Sequence, residues 1–319
     1  MSNNIISRLI GRFLGPVNPK HLNSQDSSQL FYTLVEKTKF KITFILGFRN
    51  LGGLKKNISY YLYHKFCIFI CKRRGDSRIN YVSKNKYADA FKLNGFFLKN
   101  PTPNVIDALD LLNGKISTEM CAPSNNTSSF KFVYNYYFKN EEFDTLRALI
   151  TDEITEIVRS IYQCNFLVHN AYLERQFTTK DIPKRSSWLW HFDDIADCQI
   201  KIFYFVTDVD KDRGATRLHN LDNSKEMMKL GFLDRYKISN NVESILTDEN
   251  KIYYAEGERG TVFMFDPKVM HKSVNPERSY RDIIVLEVFP SPYEELKYLP
   301  DNNVDTWKSP LNLLFSKHQ

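Results

Sequence analysis

The spacing of apolar residues changes character about halfway along the chain. Between 142 and 162, Leu146, Leu149, Ile150, Ile154, Ile157, Val158 and Ile161 recur at helical spacing, which predicts a helix over that whole stretch. Shorter helical patterns cover 85–93 and about 105–112, and a polar one covers 222–238. Beyond residue 162 the texture is that of strands, at 165–177, 200–209, 261–265 and 281–289, each bounded by turn residues. Two earlier stretches, 95–98 and 131–138, also read as strands, with a polar loop over 117–130. Helices first and strands last predict an α+β chain with a mainly β core, a sandwich or barrel flanked by helices.

The first 84 residues have a different texture. Over 5–14, Ile5, Ile6, Leu9, Ile10, Phe13 and Leu14 share one helical face, with Arg8 and Arg12 opposite and Gly15-Pro16 as the stop. Such a segment suits either docking on the protein's own body or peripheral contact of residues 1–20 with an anionic membrane. A helix is expected over 27–48, a turn at Leu51-Gly52-Gly53-Leu54, and an aromatic-rich segment over 58–71, ahead of a boundary near Gly75-Asp76-Ser77. Residues 1–85 carry 15 Lys and Arg against 3 Asp and Glu, and the remainder carries 29 against 34. The overall +7 therefore hides a basic front end on a mildly acidic body. The textures predict a basic, largely helical extension (1–84), a main domain with the β core (85–295), and a tail packed on it (296–319).

Composition narrows the functional classes. A chain of 319 residues with 42% hydrophobic and 14% aromatic content has ample material for a core. No apolar run is long enough to span a bilayer, and no secretory signal is recognisable. Five cysteines without framework spacing suggest a reducing cytoplasm, with Cys67 and Cys71 on a partly buried apolar face. The basic residues accompany no nucleic-acid-binding signature, so no nucleic-acid partner is expected.

The candidate chemistry starts at Trp190-His191-Phe192-Asp193-Asp194. On an extended backbone His191 and Asp193 point to one side and Phe192 to the other. Asp194 would point the wrong way. A distant second imidazole, His271, comes after the strand at 260–265 and the turn Asp266-Pro267. Two His and one carboxylate make the facial triad that holds non-haem Fe(II) and leaves positions open for a bidentate 2-oxo acid and O2. Ten residues past His271, Arg281 heads an apolar strand and suits the buried distal carboxylate of 2-oxoglutarate. Its competitor Arg278 sits in a polar turn. His219 and Trp190 are candidates for the substrate side. The spacing Asp208-x-Asp210-x-Asp212 does not make a calcium loop, because Gly214 falls at the seventh position and His219 at the twelfth.

Together with Asn94-Gly95-Phe96-Phe97, the segment Arg213-Gly214-Ala215-Thr216-Arg217-Leu218-His219 and the run Gly260-Thr261-Val262-Phe263, these residues resemble the phytanoyl-CoA dioxygenase family of Fe(II)/2-oxoglutarate oxygenases. The likeness spans about 87–290. It implies a double-stranded β-helix, a cupin-like jelly roll, and a role for Ser273 in holding 2-oxoglutarate. It also implies hydroxylation of an unactivated C–H bond in a small organic or lipid- or carrier-linked substrate, giving succinate and CO2. Halogenating relatives lack the carboxylate that Asp193 provides here. The competing expectation is a non-enzymatic jelly-roll binding module with a relic metal site.

Overall fold

The structure is a computed structural model that describes residues 52–75, 85–121, 133–178, 186–193, 198–230, 232, 240–293 and 296. The expectations for 5–14 and 27–48, and for the tail beyond 296, lie outside the described residues. The chain divides into two compact units, one of 1–63, 195–197 and 303–319, the other of 64–194 and 198–302. Of the first, only 52–63 is described, as helix; both sheets and all the later helices belong to the second.

Helix α1 (Gly52–Arg73) includes the Gly52-Gly53 pair expected to form a turn. Amide groups of a first turn have no intrahelical partner in any case, so glycine costs least there. Cys67 and Cys71 are buried, as expected. Near its end, the Cys71 thiol meets the Ser291 carbonyl at 3.7 Å and Arg74 Nη1 donates to the Pro292 carbonyl at 3.0 Å. Among the described residues no helix is long and apolar enough to cross a membrane.

Helix α2 (Lys86–Asn94) begins where the Asn85 side chain accepts from the amides of Tyr87 and Ala88, and ends at Gly95 with φ +82°. A side chain at Gly95 would stand 2.3 Å from Val269 Cγ1, so the turn into β1 (Phe96–Lys99) needs glycine twice over. Helix α3 (Pro103–Cys121) opens on proline and runs through part of the expected 117–130 loop. Polar residues alone do not end a helix.

The single helix expected over 142–162 is two. After β2 (Val133–Tyr137), α4 (Phe143–Arg147) stops, and α5 (Asp152–Tyr162) restarts at Thr151, whose hydroxyl accepts from the Ile154 amide at 3.3 Å. Asp152 and Glu153 in the first turn favour that new N-terminus. Apolar periodicity continues through the break, which is why the sequence conceals it.

Six strands make the larger sheet, in the order β1-β7-β4-β9-β3-β2, every pair antiparallel. They include β3 (Asn165–Gln176), β4 (Ile200–Phe205), β7 (Val262–Phe265) and β9 (Arg281–Ser291). Strand β4 ends four residues short of expectation because the amides of Val206 and Thr207 both turn to the Asp282 carbonyl. A second sheet runs β6 (Tyr253–Tyr254), β5 (Arg217–Leu218), β8 (His271–Lys272). Strands of two residues carry no readable period, so the sequence does not announce them. Helix α6 (Leu221–Lys229) falls in the first part of the expected polar insertion over 222–238, and α7 (Asn240–Leu246) lies just beyond it.

The core lies between the sheets. Phe263, Phe265, Ile283 and Val285 of the larger meet Ala215, Leu218 and Val269 from the side of the smaller. On the other face of the larger sheet, Tyr204 Oη donates to the Leu149 carbonyl at 2.9 Å, tying sheet to helices. One irregularity matters for the site. The β3–β9 register shifts between Val168 and Asn170, leaving His169 as an extra residue. That shift turns Asn170, Tyr172 and Glu174 inward. Helices packed with antiparallel sheets agree with the α+β expectation; the described strands form two sheets rather than a closed barrel.

Candidate metal centre

His191 lies beside β8, where it forms an antiparallel bridge with His271. Residues directly opposed in such a bridge send their side chains to the same face. The two rings stand 4.3 Å apart between centroids. Asp193 is held by its own amide, which donates to the Pro267 carbonyl at 3.1 Å. One ligand atom from each of His191, Asp193 and His271 lies within 4.8 Å of the others. Asp193 Oδ1 is 3.3 Å from His191 Nε2 and 3.8 Å from His271 Nε2.

The tautomers are set by the outer ring atoms. His191 Nδ1 is 2.7 Å from the Leu189 carbonyl, and His271 Nδ1 is 2.8 Å from that of Val269. A carbonyl only accepts, so each neutral ring carries its proton on Nδ1 and presents an Nε2 lone pair inward. Burial pushes His271 down to about 4, partly opposed by Asp193, so the ring is neutral near pH 7. With both rings in that tautomer, His191 Nε2, His271 Nε2 and Asp193 Oδ1 converge as three Lewis-basic atoms. Mutually repelling acceptors in a buried site are the arrangement a cation stabilises, and two imidazoles with one carboxylate suit Fe(II). An outer ring N–H donated to a backbone carbonyl is the usual support for a metal-binding His.

Lys201 is the unforeseen member. It projects from β4 opposite Phe265 on one side and Glu287 on the other. Its ammonium donates to Asp193 Oδ2 at 2.7 Å and lies 3.7 Å from Glu287 Oε1. Asn170 Nδ2 donates to the other Glu287 oxygen at 3.3 Å. Burial pushes the Asp193 carboxyl up, but Lys201, followed by His271 and His191, outweighs it and holds the group well below the usual carboxylate range. Burial works against the Lys201 ammonium, yet Asp193 and Glu287 raise it above its ordinary value. A signal for these residues is present in the sequence: single charges at inward positions of otherwise apolar runs, Lys201 within 200–205 and Glu287 within 283–290.

Arg281 heads β9, buried, as expected of a strand-borne guanidinium. Its Nη1 donates to the Gly214 carbonyl and its Nη2 to Glu174 Oε1 at 3.3 Å, while Nε is buried without a partner. Burial lowers its pKa and Glu174 opposes this. Five donor hydrogens against two partners leave capacity for a further carboxylate. Arg278 pairs with Asp212 on the surface, where the sequence places it. Ser273 stands two residues after His271, and its amide donates to the Ser187 carbonyl at 2.8 Å.

Trp190 and His219, the candidates for the substrate side, pack on each other and away from His191 and His271. Leu218 and His271 face the core between the sheets, so their neighbours His219 and Met270 turn the other way. His219 is fully buried with its ring 4.7 Å from that of Trp190, and Trp190 and Phe192 pack on the cluster formed by Met227, Val242 and Met270. The two candidates thus stand on the far face of the small sheet from His191 and His271. Phe192 facing away from His191 and Asp193 is as the alternation predicts.

No family model matches the chain, and no curated protein matches it by sequence. Solved structures do resemble it in three dimensions. EctD from S. alaskensis with bound Fe aligns at 12% identity over 70% of this chain and 82% of that one, with a TM-score of 0.50. The same protein with 2-oxoglutarate and 5-hydroxyectoine aligns at 13% identity over 65% and 76%, TM-score 0.49. HygX from Streptomyces hygroscopicus with nickel and 2-oxoglutarate aligns at 13% over 66% and 88%, TM-score 0.44. At these identities the likeness to iron-bound EctD speaks for the fold alone: this chain shares its architecture.

Proposed function

We propose that the protein is an Fe(II)- and 2-oxoglutarate-dependent oxygenase that hydroxylates an unactivated C–H bond of a small organic or lipid- or carrier-linked substrate. One observation carries this reading: a ligand atom from each of His191, Asp193 and His271 lies within 4.8 Å of the others, with the outer Nδ1 of each ring facing a backbone carbonyl. The fold shared with iron-bound EctD supports it. So do the motifs that resemble the phytanoyl-CoA dioxygenases, which imply a complete double-stranded β-helix.

In this reading His191, Asp193 and His271 hold the metal. Fe(II) with 2-oxoglutarate and O2 supplies the oxidising power that turns C–H into C–OH, the cosubstrate leaving as succinate and CO2. Arg281 binds the distal carboxylate through the donors that Gly214 and Glu174 leave over. Ser273 lies on the His271 side of its strand by alternation and assists. Apolar side chains such as Phe203, Phe263 and Phe265 keep bulk water out of the core beside the ligands.

The test is succinate formation from 2-oxoglutarate by the purified protein, with and without added Fe(II). Iron-dependent succinate that disappears in His191→Ala is the expected result. A protein that retains no iron and turns over no 2-oxoglutarate, with candidate substrates or alone, is instead a binding module.

A further inference from the structure

We propose that Lys201 is a positioning residue that restricts Asp193 to one metal-binding oxygen, so that three coordination positions stay open. The inference rests on the Fe(II)/2-oxoglutarate reading above. A carboxylate beside a metal can bind through one oxygen or chelate through both. Chelation by Asp193 would fill a position that the 2-oxo acid or O2 requires, because the triad works only with three sites left free.

The structure divides the two oxygens of Asp193 between two neighbours. Oδ1 faces His191 Nε2 and His271 Nε2 at 3.3 and 3.8 Å. Oδ2 accepts from Lys201 Nζ at 2.7 Å, a short charge-assisted bond. The side chains are sheltered, Lys201 14% and Asp193 12% exposed, so solvent screens the pair only weakly. Swinging Oδ2 onto the metal would break that bond and leave a buried ammonium facing a dication.

Lys201 is itself held from behind. Strand register sets it opposite Glu287, whose Oε1 lies 3.7 Å from the ammonium and whose Oε2 accepts from Asn170 Nδ2. The β3 bulge at His169 is what brings Asn170 to this face. Glu287 keeps the ammonium from following either Asp193 or an incoming anion. The chain Asn170, Glu287, Lys201, Asp193 thus runs from a rigid strand pair to the metal ligand, and each link carries a hydrogen bond or an ion pair. A lysine retained merely to fill the core would be replaced by an apolar residue at no cost to the metal's open positions.

The experiment compares wild type with Lys201→Met, Lys201→Arg and the charge-balanced Lys201→Met/Glu287→Gln. Co(II) serves as an air-stable probe of the metal site and 2-oxoglutarate as the second ligand. Affinities are measured by titration and coordination number by the intensity of the Co(II) visible absorption. In both Met variants Co(II) should bind as tightly as in wild type or more tightly, because a repelling cation is gone and Oδ2 is freed. The affinity of the Co(II) form for 2-oxoglutarate should fall roughly 10- to 100-fold, the range typical of losing an outer support of a metal ligand. The change in the Co(II) spectrum on adding 2-oxoglutarate should be smaller than in wild type. Lys201→Arg, which still donates to Oδ2, should restore both. Met variants whose Co(II) and 2-oxoglutarate affinities are unchanged, or fall together, overturn the inference while leaving the oxygenase reading intact. A wild type that binds no Co(II) removes that reading itself.

Discussion

His191 and His271 exchange both of their backbone hydrogen bonds, each amide donating to the other's carbonyl at 3.0 Å. Eighty residues of sequence are closed by that one bridge, and it fixes two imidazoles on one face before any side chain is considered. Because backbone builds the pair, removing one imidazole should spare the fold. His271→Ala is expected to keep its secondary structure by circular dichroism yet lose metal-dependent stabilisation. At a hundredfold excess of Co(II) over its dissociation constant, wild type gains about 2.7 kcal/mol. The variant should gain almost nothing in the same thermal titration, and an equal gain in both would separate the bridge from metal binding.

Arg281 and Glu174 invite a charge-balance test. Truncating one partner of a buried pair typically costs about 3–5 kcal/mol. Glu174 keeps 21% side-chain exposure, so the loss in Arg281→Met should fall below that range. Adding Glu174→Gln should recover most of the stability in urea unfolding, since no unpaired carboxylate remains. It should not recover 2-oxoglutarate binding, because the guanidinium that pairs with the distal carboxylate in the proposed reading is still missing. Recovery of both would assign the distal carboxylate to another residue.

The parts of the fold and site that are legible in the sequence are those set by alternation and by long apolar runs. Strands β3, β4, β7 and β9 stand near their expected places, and His191 and Asp193 share a side with Phe192 opposite. The break at Thr151 and the helix through Gly52-Gly53 are hidden because local capping decides them, not periodicity. Proximity in sequence assigns Trp190 and His219 to the substrate side. Period 2 puts neighbours on opposite faces, and the small sheet has only two-residue strands from which to read that parity. The partnership of Lys201 with Asp193 depends on β4 lying between β7 and β9, a topological fact that no local pattern encodes.

Gly214 offers a sharper probe of the Arg281 end. It has φ +79°, and a Cβ there would stand 2.5 Å from the Val274 carbonyl oxygen, while its own carbonyl accepts from Arg281. The left-handed conformation alone costs a non-glycine residue roughly 1–2 kcal/mol, and the backbone clash adds to it. Gly214→Ala should therefore destabilise the protein and weaken 2-oxoglutarate binding together. Gly75→Ala is the control: φ is +67° but a Cβ meets nothing within 4 Å. It should carry only the conformational cost and leave cosubstrate affinity unchanged. Equal effects on affinity from the two substitutions would detach the Gly214 carbonyl from Arg281 function.

Stability should depend on pH through imidazoles that burial holds neutral, His271 and His219 foremost, with His64 lowered in the same direction. Burial pushes both His271 and His219 down to about 4, from an ordinary value near 6.5. Between roughly pH 6.5 and 4 the unfolded chain takes up protons that the folded chain refuses. Unfolding is then favoured as pH falls, and the stability of the metal-free protein should be greatest above about 6.5. Each imidazole contributes a slope of up to about 1.4 kcal/mol per pH unit in that window. Asp193, held low, would lose its contribution only at more acidic pH, so it does not mask the effect. Urea midpoints measured from pH 7.5 to 5 on protein stripped of metal should fall steadily, and His219→Gln, which cannot titrate, should make the slope clearly shallower, leaving the share of His271 and His64. Because His219 sits on the face of the small sheet away from the ligands, the same variant should leave Co(II) affinity at neutral pH as in wild type. A slope that is unchanged in His219→Gln would mean that this ring is not held neutral by burial, and the packing of Trp190 against it would need another explanation.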